Sequence, residues 1–112
     1  MFLLNADRAF IDDRKLMDYC LSESHPIGKH KAKVFKSALG FSVEHFPRLK
    51  EIILQAVLEK EANFTESNQY GELYVVDIEV ENPPDKALVR TSWIVRFDED
   101  FPRLTSCYVI NK

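Results

Sequence analysis

A chain of 112 residues, 46% hydrophobic and 12% aromatic, holds enough apolar material for one folded core without disulfides or a structural metal. Its net charge of −3 argues against wholesale electrostatic attraction to nucleic acid, and no apolar run is long enough to span a membrane, so no membrane partner is expected. The start Met1-Phe2-Leu3-Leu4-Asn5 lacks the basic segment and long apolar stretch of a secretory signal, which makes a cytoplasmic location the expectation.

Asp12 or Asp13 caps the first predicted helix, in which Leu16, Met17, Cys20 and Leu21 form one apolar stripe before residues 22–26 end it. The second is predicted from Ile27 or Gly28 to Leu39 and is closed by Gly40, a residue suited to the left-handed backbone that ends helices. At about 100° per residue, Ile27, Lys31, Val34, Phe35 and Ala38 share a face, with Lys31 near its middle and His30 at its border. A lysine so placed snorkels, meets an internal acid, or lines a cleft that receives an anion. Between Lys29 and Lys36 stand four lysines and a histidine without one acid, whereas residues 59–81 are markedly acidic. Such a basic helix suits either a solvated face or a local phosphate or RNA contact. A third helix begins near Pro47, carries Leu49, Ile52, Ile53, Ala56 and Val57 to about Ala62, and is expected to be the longest.

After Asn63 the hydrophobic period becomes two, the signature of strands. Strands are predicted at 73–81, 87–97 and 104–110, joined by Asn82-Pro83-Pro84-Asp85 and Asp98-Glu99-Asp100, with a fourth available from residues 2–4 or 9–11. Alternation sends Tyr74, Val76, Ile78, Val80, Val89, Thr91, Trp93, Val95 and Phe97 inward. Arg90, Ser92 and Arg96 then face away, beside Asp77 and Glu79 of the neighbouring strand. The predicted class is α+β: three N-terminal helices followed by an antiparallel three- or four-stranded meander, with residues 1–112 forming a single domain.

His30 has the titration range of a general acid or base, and a solvated boundary histidine is the plainer alternative. Arg90 offers a guanidinium fork for phosphate, or simply a cross-strand ion pair. Thr91 is polar on an apolar face, within reach of Lys31 across the helix–sheet interface, while Trp93 reads as a core anchor. Cys20 and Cys107, without CxxC spacing or a histidine at metal-ligand spacing, read as small core residues, and a disulfide between them is not needed. The three glycines form no phosphate loop, and neither GxSxG nor HExxH occurs. Nucleotide hydrolysis, serine hydrolysis and zinc chemistry therefore lack support, and no cofactor is expected.

Leu4-Asn5-Ala6-Asp7, Lys15-Leu16 with Tyr19, His25-Pro26 with Gly28-Lys29-His30-Lys31-Ala32-Lys33-Val34-Phe35, Leu39-Gly40-Phe41, Arg90-Thr91-Ser92-Trp93-Ile94-Val95 and Pro102-Arg103-Leu104-Thr105 resemble an uncharacterised bacterial domain family of unknown function. The resemblance covers nearly the whole chain. Members of that family occur as small free-standing proteins and at the ends of larger toxin-like or phage-related proteins. Helices before an antiparallel sheet, with a basic helix residue and a strand Arg or Thr, are also similar to the barnase, EndoU, colicin and RelE group of toxin ribonucleases. This second resemblance implies metal-independent cleavage of RNA by attack of the 2′-hydroxyl on the adjacent phosphate. Carried onto these residues, it gives Lys31 or His30 proton transfer or phosphate binding, Arg90 stabilisation of the pentavalent phosphate, and Thr91 or Thr105 its positioning. Unbroken alternation sends Arg90 and Thr91 to opposite faces, so a shared site requires a bulge. The alternative function is a noncatalytic interaction module, immunity-like or a toxin–antitoxin partner, whose ligand is a cognate protein rather than RNA and to which the acidic balance points.

Overall fold

The Asp12 carboxylate accepts the Arg14 amide hydrogen at 3.0 Å, the cap that its place in the sequence predicts. In the computed structural model, which describes residues 1–111, the helix it starts is brief: α1 (Asp13–Lys15) widens at once into a π-helical turn, Leu16–Cys20. Next comes α2 (Lys29–Leu39), which ends where Gly40 adopts φ 69° and donates its amide to the Lys36 carbonyl. The Leu39 carbonyl at that end accepts from Asn82 Nδ2 at 2.7 Å, tying helix to sheet.

Helix α3 (Phe46–Ala56) starts with Pro47 in its first turn, as expected, but stops well before Ala62. At eleven residues it only equals α2 and is not the longest helix. Past the buried Val57 the chain offers only exposed side chains from Leu58 to Glu61, so a further turn would bury nothing. The chain instead swings back, and the Ala62 amide donates to the Met1 carbonyl at 2.6 Å.

The sheet is an antiparallel meander in the order β1 (Asn63–Ser67), β2 (Gly71–Asn82), β3 (Asp85–Arg96), β4 (Pro102–Asn111). Its fourth strand is β1, not residues 2–4 or 9–11; of these only Phe10 contributes, through one isolated bridge to Arg103. All five side chains of β1 are exposed, so no burial alternation marks it in the sequence. Val76, Ile78, Val80, Val89, Thr91 and Trp93 face the helices as alternation requires. Phe97 does not: β3 ends at Arg96, and Phe97 lies 67% exposed with its amide on the Tyr70 carbonyl. Opposite Ser92 and Trp93 the register slips, leaving Thr105 as an extra residue, so Leu104 and Cys107, three apart, are both buried. Among the described residues no helix is long and apolar enough to cross a membrane.

Candidate functional site

The buried side chains of α2 are Ala32, Phe35, Ala38 and Leu39. Ile27, in the preceding turn, is 64% exposed, and Val34 is exposed too. The apolar stripe therefore centres near Phe35 rather than on Lys31, which lies at its edge and half-buried, with His30 exposed beyond it. The turn explains this rotation. His25 Nδ1 accepts the amide hydrogens of Ile27 at 3.0 Å and Gly28 at 2.9 Å, so Ile27 is held outside the helix. At Gly28 a Cβ would come within 2.1 Å of the Tyr19 carbonyl oxygen, so only glycine lets α2 begin against the π-helical turn.

That close approach brings Tyr19 beneath Lys31. Lys31 Nζ donates to the Tyr19 hydroxyl at 2.5 Å and stands 4.5 Å from its ring centroid, with the Tyr108 ring on β4 at 5.8 Å. The Tyr19 ring is itself met edge-on by His25 at 4.9 Å. Lys31 forms no ion pair among the described residues. Its cleft, of about 430 Å³, is lined by His30, Lys31, Val34, Tyr108 and Val109. A second cleft of about 500 Å³ adjoins it through His30 and is lined also by Glu23, Lys29, Lys33 and Lys36. A larger groove of about 660 Å³ between the N-terminal segment and α3 contains none of the residues predicted for chemistry.

Two buried thiols meet between the π-helical turn and β4. The Cys107 amide, on the edge strand of the sheet, donates to Cys20 Sγ at 3.3 Å. Hydrogen bonding from Cys107 holds the Cys20 thiol below its ordinary pKa despite burial, and the Lys31 charge adds to this. The same pairing, with burial, pushes Cys107 well above its ordinary value. Ser106 Oγ is buried nearby without a partner among the described residues.

The remaining predicted residues have different surroundings. Arg90 forks onto Asp77, with Nε–Oδ1 2.9 Å and Nη2–Oδ2 3.0 Å, the cross-strand pair that the alternation allowed. That pair raises the pKa of the guanidinium, and Tyr108, opposite it in register, contributes less. Thr91 is fully buried; its hydroxyl donates to the Val76 carbonyl at 2.7 Å and accepts from Trp93 Nε1 at 2.8 Å, and not from Lys31. Thr105 sits at the bulge of β4. His30 and Lys31 thus share a cleft with Tyr108, Arg90 stands behind Tyr108, and Thr91 and Thr105 line neither cleft. Sequence patterning did not single out Tyr19 or Tyr108 as partners of Lys31, because their meeting requires α2 to lie along the edge of β4. Among the described residues no group of three or more His, Cys, Asp or Glu side chains is placed to hold a metal ion.

A cationic helix edge set against the outer strand of an antiparallel sheet defines a small α+β protein with an open, lysine-lined cleft. The chain belongs to the family described as a domain of unknown function (DUF6883), which matches residues 2–111. This bears out the resemblance to an uncharacterised family and carries no statement about toxins. No curated protein and no solved structure matches the chain.

Proposed function

We propose that the cleft between α2 and β4 binds an RNA phosphate and that the protein is a metal-independent ribonuclease. The observation that carries this reading is Lys31: a half-buried amine held by a tyrosine hydroxyl rather than a carboxylate, facing an open cleft beside His30. An ammonium held without a carboxylate keeps its full charge for a ligand, where an ion-paired one would be neutralised. In this reading His30 takes the proton of the 2′-hydroxyl as its oxygen attacks phosphorus. Lys31 stabilises the added negative charge on the pentavalent phosphate. The bond to the 5′-oxygen breaks, that oxygen takes a proton from an ammonium or from water, and a 2′,3′-cyclic phosphate remains. Arg90 lies beside Tyr108 across the β3–β4 ladder, Thr91 ties β3 to β2 behind the cleft, and Thr105 marks the bulge of β4.

A noncatalytic interaction module is the second reading, favoured by the pairing of Arg90 with Asp77 and the sequestration of Thr91, which take the predicted strand cation and the predicted strand threonine out of the cleft. One experiment separates the two. Purified wild type, Lys31→Ala and His30→Ala are incubated with total bacterial RNA in chelator, and circular dichroism verifies folding. Cutting to 2′,3′-cyclic ends, reduced at least tenfold in either folded variant, is the expected result. Intact RNA beside folded wild type sinks the ribonuclease and leaves the interaction module.

A further inference from the structure

We propose that the second cleft is a second phosphate-binding subsite, so that the ligand is an RNA strand engaging at least two phosphates at once. This rests on the ribonuclease reading and extends it from a single reacting phosphate to a substrate class. Lys29, His30 and Lys31 occupy the first turn of α2, which contains no acidic residue. Helix dipoles favour acids there and disfavour cations, so local stability does not explain the composition. Lys29 and Lys33 are also spaced i,i+4 on one side of the helix, where like charges repel. The one acid lining the cleft, Glu23, lies 3.5 Å from Lys36, which leaves Lys29 and Lys33 without an ion pair among the described residues. A polyanion removes both penalties.

The subsite is built from side chains, not from helix amides. The Ile27 and Gly28 amides are taken by His25 Nδ1, and the Lys29 amide donates to the His25 carbonyl at 3.0 Å. His30 lines both clefts, so a strand whose reacting phosphate meets His30 and Lys31 runs directly onto Lys29 and Lys33. The spacing of those two lysines, about 5–6 Å between Cβ atoms, lets their long side chains grip successive phosphates of a flexible single strand. Glu23 also sets a direction, because its carboxylate closes the Lys36 end to an anion.

The test uses a fluorescein-labelled twelve-nucleotide RNA methylated at every 2′-oxygen, which binds but offers no nucleophile. Fluorescence anisotropy at several KCl concentrations compares wild type, Lys29→Gln/Lys33→Gln and the control Lys60→Gln/Lys86→Gln, which removes the same charge elsewhere. Each lost single-strand phosphate contact flattens the plot of log K against log [KCl] by about 0.7. The cleft variant is therefore expected to lose about 1.4 in slope and the control none. On unmodified RNA the cleft variant raises KM with kcat unchanged, and a dinucleotide is cut equally by both proteins. Slopes identical in wild type and cleft variant, or an equal loss in the control, overturn the subsite while cleavage by wild type still upholds the ribonuclease. A cleft-dependent slope without any cleavage supports the subsite and overturns only the catalytic reading. Wild type that binds no RNA overturns both.

Discussion

Thr91 illustrates how a residue predicted for chemistry is also committed to packing. Its hydroxyl joins the Val76 carbonyl to the Trp93 indole inside the core, so each polar atom there has a partner. Thr91→Val strips the indole N–H and that carbonyl of this partner in a dry environment, at a cost of about 1–3 kcal/mol, read from the urea midpoint at unchanged m-value. Lys31 presents the opposite case. Its amine has a single hydrogen-bond partner and no ion pair among the described residues. Lys31→Met, which keeps the apolar stem, is expected to leave stability within about 0.5 kcal/mol by the same measurement. Alternation on β3 was enough to send Thr91 and Trp93 inward and Arg90 outward. Whether Arg90 met an acid or a ligand was not legible, because that depended on the register that sets it opposite Asp77.

At the scale of elements, the entry to α2 decides the geometry of the cleft. Gly28 and Gly40 flank the helix for different reasons, and substitution separates them. A Cβ at Gly28 collides with the Tyr19 carbonyl, so Gly28→Ala must move the helix or the π-helical turn and costs about 1–3 kcal/mol or more. At Gly40 the nearest atom to a Cβ is Asn82 Nδ2 at 3.7 Å, an ordinary contact, so only the left-handed backbone at φ 69° is penalised. Gly40→Ala is accordingly expected to cost about 1 kcal/mol, and less than Gly28→Ala, in paired thermal melts. The sequence marked Gly40 as a helix end. It did not mark Gly28 as a contact, since the collision involves a carbonyl nine positions earlier, brought close by the widened turn at Leu16–Cys20. The early end of α3 and the exposed strand β1 escaped for a related reason: neither leaves an amphipathic trace.

Across the whole molecule, an ion pair and a hydrogen bond join the N-terminal segment to the β3–β4 turn, and a second ion pair braces the turn against β4. Arg8 forks onto Asp100 at 3.1 and 3.2 Å, Asn5 Nδ2 donates to the Asp100 carbonyl at 2.6 Å, and Arg103 holds Glu99 at 2.7 Å. Bonding to Arg8 lowers the pKa of Asp100, bonding to Arg103 lowers that of Glu99, and bonding to Arg14 holds Asp12 at about 2. A carboxylate depressed in the folded state contributes stability above its ordinary pKa, and that contribution fades as pH falls through the depressed value. The contribution of these carboxylates to stability against urea is therefore expected to fall between about pH 4 and 2. Asp12→Asn should shallow that decline, and because these pairs are exposed, about 0.5 M salt should shallow it further.

Hydrophobic period and end signals were sufficient for the α+β class, the helices before the sheet, the antiparallel meander, the buried cysteines and the inward Trp93, because each depends on neighbours within a few residues. The cleft belongs to the tertiary structure. Lys31 meets Tyr19 across a π-helical turn and Tyr108 across the edge of β4, and its exposure depends on how far α2 is rotated when His25 caps it from outside. No local pattern encodes that rotation; it emerges only when Phe35, Leu39 and the sheet are packed against one another.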